Sequence, residues 1–386
     1  MHYMQWIKTD APARVELRPS GIPGVRTDEL RFEPGDVNIQ TTGVYGDSEL
    51  AAQLAAYNGV EPERLLIVPG ASSGIFIAMA TACARARRRI LIESFVYEPI
   101  LRAAQTLGLH IERVPRLPEL GFDLNWDRLT SMLNNECDAL FLTNLHNPSG
   151  HYLDPERLGE VAELCRARHV TLIVDEVYLP STHLVLGRPR WSAANLGSHV
   201  ITINSLTKLH GFSGLRIGWM CGSRALIDSA KLVMDVLSVN NAGPCMSLGK
   251  AAMADRVRWE ERYVERQRIN REALDAWLRG EPRVSAEADN GQLYACLRLN
   301  GTASTSGASS GVLPADEFAR RLRARYDTAV VPGTFFELDR YVRIGLGMAT
   351  ETLREGLRNI SSCLDDYETN DGNAGDQATG GTVSES

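Results

Sequence analysis

The sequence predicts an α/β protein: a large domain on a mainly parallel, doubly wound sheet, joined to a smaller α+β domain. Three observations predict it. Short, wholly apolar runs alternate with amphipathic segments from residue 48 to residue 239, the pattern of parallel strands covered on both faces by helices. After Gly280-Glu281-Pro282 this alternation stops and strand-like runs lie closer together. The length, 386 residues, also exceeds that of one ordinary domain.

The elements follow in order. Residues 1–40 are mixed, with a turn at Ser20-Gly21-Ile22-Pro23-Gly24. SELAAQLAAYNGV (48–60) has helical apolar spacing and closes on Asn58-Gly59, a helix with its stop. RLLIVPG (64–70) reads as a buried strand, and SSGIFIAMATACARA (72–86) as a helix with serine at its start. Strands at 89–94, 111–116, 139–144 and 170–176 then alternate with helices at 98–108, 124–134 and 155–169. HVITINS (199–205) and LRIGWMCG (215–222) are strand-like. A helix at 225–239 and one long charged helix over 247–278 complete the large domain, 41–280. The small domain combines 1–40 with 281–367, where strands are expected at 292–299, 329–333 and 341–347 and helices at 316–326 and 350–367. Residues 300–311 and a disordered tail, 368–386, are low-complexity.

Composition narrows the function. Hydrophobic residues make up 44% and charged residues 23%, which excludes a disordered chain, a fibre and a disulfide-rich miniprotein. A net charge of −7 lacks the positive field that nucleic acid or an anionic membrane demands, so neither is an expected partner. The seven cysteines form no C-x-x-C pair, which suits free thiols in a reducing compartment. No signal-peptide run or membrane-length apolar stretch is present, so a cytoplasmic location is expected. Arg85-Ala86-Arg87-Arg88-Arg89 reads as a solvated helix end. No zinc motif, Walker loop or G-x-G-x-x-G fingerprint occurs, and no metal is expected.

Four segments fall at ends of expected strands, where such sheets gather ligands. They are Gly70-Ala71-Ser72-Ser73-Gly74, Asn147-Pro148-Ser149-Gly150, Asp175-Glu176-Val177-Tyr178, and Ser205-Leu206-Thr207-Lys208 with Gly214-Leu215-Arg216-Ile217-Gly218-Trp219. Asp175 ends the apolar run TLIVD, and an acid there needs a cation or donor; a helix cap or salt bridge is the plainer reading. Lys208 follows HVITINS in a Ser/Thr/Gly-rich turn. A lysine removed from water becomes a carbonyl-reactive amine; a surface lysine is the alternative. Ser72 opens a helix whose free N–H groups suit a phosphate, or it is a simple cap. Arg216, buried in an apolar strand, calls for an anion. Each signal is weak alone. Together they supply an amine for a Schiff base, an acid, hydrogen-bond donors and a phosphate cup, the needs of pyridoxal 5'-phosphate.

The chain resembles the class I/II aminotransferases, fold-type I pyridoxal-phosphate-dependent enzymes. NPSG at 147–150, DEVY at 175–178 and SLTKLHGFSGLRIGW at 205–219 carry the resemblance, which covers about residues 10–367. It implies transfer of an amino group from an α-amino acid to a 2-oxo acid. Lys208 would form the Schiff base and move the proton, Asp175 would pair with the ring nitrogen, and Tyr97 would stack on the ring as the third catalytic residue. Asn147 and Tyr178 would bond the phenolic oxygen. Ser205, Arg216, Ser72 and the backbone of Ala71 would bind phosphate. Arg343, in YVRIGLG, would hold the substrate α-carboxylate as a bidentate fork, with Asn147 beside it. Tyr45, in VYGDSEL, would reach the phosphate bound by a second copy, because the resemblance implies a homodimer.

The departures from the family pattern border the substrate. Ser94-Phe95 stand where the family carries Asp-Pro, His210 follows Lys208 by two residues, and His146 precedes Asn147. They keep open another pyridoxal-phosphate reaction (elimination, replacement, cyclisation or oxidation) and, further off, a non-catalytic cofactor-binding module. Either histidine is a second acid/base or a packing residue. Phe335-Phe336 line a side-chain pocket or belong to the core. Glu98 is a partner for a cationic side chain or an exposed helix start. No second arginine for a distal carboxylate stands out, so the amino donor stays open.

Overall fold

The computed structural model describes residues 2–40, 45–84, 87–134, 136–300 and 314–376. Seven strands form the main sheet: β1 (Leu65–Val68), β2 (Arg89–Glu93), β3 (His110–Val114), β4 (Ala139–Thr143), β5 (Thr171–Asp175), β6 (Val200–Ser205) and β7 (Gly218–Cys221). Their order is β1-β7-β6-β5-β4-β2-β3. Only β7 runs against its two neighbours; β2 to β6 are parallel.

The apolar runs explain the layers. Along β4 and β5 every second side chain changes face. Phe141 and Ile173 pack with Ile77, Met79, Ile100 and Met234, on helices α3 (Ala71–Ala82), α4 (Glu98–Thr106) and α8 (Arg224–Leu237). Leu140, Leu142, Leu172 and Val174 pack the other way, against Leu129, Leu158 and Val161 of α5 (Trp126–Met132) and α6 (Pro155–Ala167). A further core joins Ile67 and Trp219 to α2 (Ser48–Asn58) and α9 (Gly243–Ala254). Burial on both faces is what lets these strands be apolar throughout.

A second, antiparallel sheet contains β8 (Val284–Ala286), β9 (Tyr294–Leu299), β10 (Val331–Pro332) and β11 (Tyr341–Gly345), in the order β8-β9-β11-β10. Leu297, Val342 and Ile344 pack with α11 (Ala315–Tyr326), α12 (Thr350–Asp376) and Leu274 of α10 (Arg256–Gly280). Val15 and Leu17 join the same core, and Val15–Glu16 pairs in parallel with Thr328–Ala329.

Four elements depart from those expected. The long helix expected over 247–278 breaks at Asp255, which stands between α9 and α10 and accepts a bond from Arg258 Nη1 at 3.2 Å; Asp is disfavoured in helix interiors. A helix α1 (Tyr3–Thr9) forms in the stretch read as mixed. Tertiary contacts hold it: Tyr3 N–H donates to Glu98 Oε2 at 3.1 Å, and Trp6 packs on Phe335 at 4.8 Å. The strand expected from Leu215 begins only at Gly218. Helix α12 runs past its expected end at Tyr367 into the stretch read as tail, since extending a formed helix costs little. Residues 301–313 and 377–386, with Arg85-Ala86 of the basic run, lie outside the described residues.

Candidate active site

Strands β4 and β5 end level, with Thr143 opposite Asp175, and β6 runs from Ile203, opposite Asp175, two residues further to Ser205. The loops beyond them, with the start of α3, enclose a cavity of about 560 Å³. Nine of the residues named from sequence line it: Ala71, Ser72, Tyr97, Asn147, Asp175, Tyr178, Ser205, Lys208 and Arg216. The volume lies within the usual range for small-ligand and cofactor sites.

Burial raises the Asp175 carboxyl to about 6, while Lys208 pulls it back down. One Asp175 oxygen accepts from Val177 N–H at 3.0 Å. Burial also lowers the proton affinity of Lys208, with Arg343 adding to the effect and Asp175 opposing it. Lys208 Nζ donates to Ser20 Oγ at 3.2 Å. The Tyr178 hydroxyl lies 2.9 Å from Ser20 O and 3.0 Å from Ser20 Oγ, so the N-terminal segment props both side chains. Burial pushes the hydroxyls of Tyr97 and Tyr178 above their ordinary values. Both therefore stay protonated near neutrality, Tyr178 donating to Ser20 and Tyr97 to Met4 Sδ at 2.9 Å.

The anion end is built by α3 and Arg216. Gly74 makes the first backbone bond of α3, to Gly70 O at 3.2 Å, which leaves the N–H groups of Ala71, Ser72 and Ser73 outside the helix's own bonding. Arg216 is exposed, not buried in a strand as expected. It follows the short turn Ser213–Leu215 at φ 50°. Its guanidinium lies over Gly70 so closely that a Cβ there would collide with it, and Gly70 holds φ +82°. Among the described residues no carboxylate pairs with Arg216. A free cation, three open N–H groups and the hydroxyls of Ser72 and Ser205 at one end fit a phosphate group. With Lys208 and Asp175 in the same wall, the donor set fits pyridoxal phosphate.

Arg343 is 1% exposed and does not itself line the cavity. It donates to Asn147 Oδ1 at 3.1 Å, to the Tyr3 hydroxyl at 2.9 Å and to Arg18 O at 3.4 Å. Tyr45 also lies outside the lining, its hydroxyl 3.1 Å from Asp235 Oδ2. Sequence reasoning missed Tyr3, Met4, Lys8 and Ser20, all of which line the cavity. The first three lie on α1, whose docking no local motif announces.

None of the residues that had suggested other chemistry lines the cavity. His146 is buried, with Nδ1 2.7 Å from Ser149 Oγ and Nε2 3.3 Å from Ser94 O, and burial lowers its proton affinity far below the ordinary value. His210 points away, toward Glu260 at 3.8 Å and the Tyr57 ring. Phe335 and Phe336 pack against Tyr3 and form part of a core cluster. Glu98 starts α4, accepts from the Tyr3 N–H at the start of α1 and pairs with Arg102 at 2.7 Å. Phe95 packs edge-on against Phe122, and Ser94 Oγ accepts from Arg116 N–H.

Comparison with known proteins agrees with this geometry. Residues 23–360 match the family Aminotransferase class I and II. An arginine–pyruvate transaminase of Pseudomonas aeruginosa is 26% identical over 79% of this chain and 75% of its own. A probable aspartate/prephenate aminotransferase of Thermus aquaticus is 26% identical over 82% and 80%. Among solved structures, a PLP-dependent aminotransferase from Streptococcus suis superposes with a TM-score of 0.83 at 21% identity, covering 94% of this chain and 97% of that one. A PLP-dependent cyclase shares the fold at a TM-score of 0.80 and 20% identity, covering 94% and 96%. The chain belongs to the class I and II aminotransferase family and is a pyridoxal-phosphate-dependent aminotransferase.

Proposed function

We propose that this aminotransferase works in the cavity at the ends of β4, β5 and β6, with Lys208 as the residue that carries the cofactor and moves the proton. One observation carries the reading: Lys208 and Asp175 line one cavity whose far end is a phosphate-shaped cup. Bound pyridoxal phosphate supplies an aldehyde carbon that takes up the amino group and a ring that accepts electrons from the Cα–H bond. Asp175 holds the proton on the ring nitrogen. Lys208 Nζ, its proton affinity lowered by burial, would take the proton from the substrate Cα and return it at the cofactor carbon. Such a positioned amine contributes about 10²–10⁴-fold. Tyr97 supports the ring face, Asn147 and Tyr178 donate to its phenolic oxygen, and Ala71, Ser72, Ser205 and Arg216 hold the phosphate. Arg343 and Asn147 hold the substrate α-carboxylate.

The competing outcomes were motivated by His146, His210 and Ser94-Phe95, and none of these lines the cavity. Transamination of an α-amino acid with a 2-oxo acid is therefore favoured. A homodimer is proposed with it, supported by an exposed apolar stripe on α8 beside Tyr45, with Leu232 68% and Val236 86% exposed. The division into 41–280 and 1–40 with 281–367 is supported by a core under each sheet, with Leu274 of α10 packing in the second. Seven free cysteines support a reducing, cytoplasmic setting, and among the described residues no helix is long and apolar enough to cross a membrane.

The test is a panel of amino donors with pyruvate or 2-oxoglutarate. A new amino acid formed from the acceptor is the expected product; ammonia or peroxide in its place would overturn the reading. Arg343→Ala should raise KM for α-carboxylate substrates about 30-fold or more, and an unchanged KM would move the carboxylate site elsewhere.

A further inference from the structure

Tyr3 differs from the other cavity residues in origin and in bonding. It sits on α1, ahead of the span 23–360 that matches the family. Its backbone is anchored by Glu98, and its ring meets Tyr97 edge-on at 5.5 Å. Its hydroxyl oxygen accepts from Arg343 Nη2 at 2.9 Å. A phenol that accepts a bond still has its own proton to donate, and among the described residues no acceptor takes that proton. Arg343 in turn is a buried cation with no carboxylate partner among the described residues, and its Nε is buried without any partner. A buried guanidinium calls for an anion. Tyr3 lines the cavity and Arg343 does not, so a carboxylate approaching from the cavity meets the tyrosine hydroxyl on its way to the guanidinium.

We propose that Tyr3 is a substrate-binding residue, its hydroxyl donating a hydrogen bond to the substrate α-carboxylate. This rests on the assignment of that carboxylate to Arg343. The guanidinium polarises the phenol, which strengthens the bond the phenol gives. Helix α1 thereby supplies part of the amino-acid recognition, and Glu98 positions the tyrosine by holding the start of that helix.

Equilibrium binding to the cofactor-loaded enzyme tests this with two probes. One is 2-methylalanine, an amino acid with no Cα–H to lose. The other is isopropylamine, which has the same carbon skeleton without the carboxylate. Tyr3→Phe should weaken 2-methylalanine about tenfold or more, as expected for a lost hydrogen bond to a charged group, and leave isopropylamine unchanged. Unchanged binding of both probes would overturn the proposal. Equal weakening of both would also overturn it, because a merely structural role of Tyr3 acts on both alike. Glu98→Ala should shift the same ratio in the same direction. If Arg343→Ala leaves 2-methylalanine binding unchanged, the carboxylate assignment itself fails. If Arg343→Ala weakens it and Tyr3→Phe does not, only the role of Tyr3 fails.

Discussion

Asp175 ends β5 with one oxygen bound to the Val177 N–H, and its carboxyl is pushed up to about 6, first by burial and then by Glu93. The cofactor-free fold thus prefers the protonated acid. The stability this contributes is fully present below about pH 4 and is lost as pH rises through about 6. Asp175→Asn removes the cost of ionising that group. In cofactor-free protein the variant should gain up to about 3 kcal/mol over the parent at pH 8 and nothing at pH 4, as read by urea unfolding at both pH values. An equal shift at both would contradict the burial argument. In the loaded enzyme the same substitution should cripple turnover, because a neutral amide no longer holds the proton on the ring nitrogen. The adjacent Glu176 is also raised by burial, to about 7, but it accepts from Ser192 Oγ at 2.8 Å and Ala193 N–H at 2.7 Å. It is an acid held by the fold beside the one proposed to meet the cofactor.

Helix α3 begins on a turn that glycine fills without strain. Gly70→Ala would place a Cβ against the Arg216 guanidinium at φ +82°. The conformation alone costs about 1–2 kcal/mol, and the displaced guanidinium should loosen cofactor binding about tenfold. Thermal melting and an absorbance titration with pyridoxal phosphate check the two effects, and unchanged affinity would contradict the cup. The same element shows what sequence can reveal. The runs LLIV, ALFLT, TLIVD and VITINS were legible as strands because both faces of these strands are buried. The residues at their ends were legible because a parallel sheet gathers one end of every strand at one rim. Arg216 was placed in a strand because its left-handed backbone is set by the approach to Gly70, a contact far away in sequence. Helix α1 was missed for a related reason. Its seven residues carry no side-chain cap, and Tyr3, Met4 and Lys8 reach the cavity only through docking on Glu98, Tyr97 and Phe335.

At the scale of the whole molecule, a chain of net charge −7 keeps a cavity of about 560 Å³ beyond one end of its main sheet. The exposed stripe on α8 is the surface a second copy would cover, and Tyr45 lies against it through Asp235. Val236→Glu should turn the proposed dimer into a monomer in sedimentation; a species of unchanged mass would place the interface elsewhere. Activity should fall with dissociation, because Tyr45 is expected to complete the phosphate site of the other copy. The account as a whole rests on which side chain bears the cofactor. Borohydride reduction of the loaded protein, followed by peptide mass spectrometry, reads this directly. The account predicts one reduced cofactor per chain, on the peptide containing Lys208, and none after Lys208→Ala. A reduced adduct on another lysine, or an unmodified Lys208 in fully loaded protein, would contradict it.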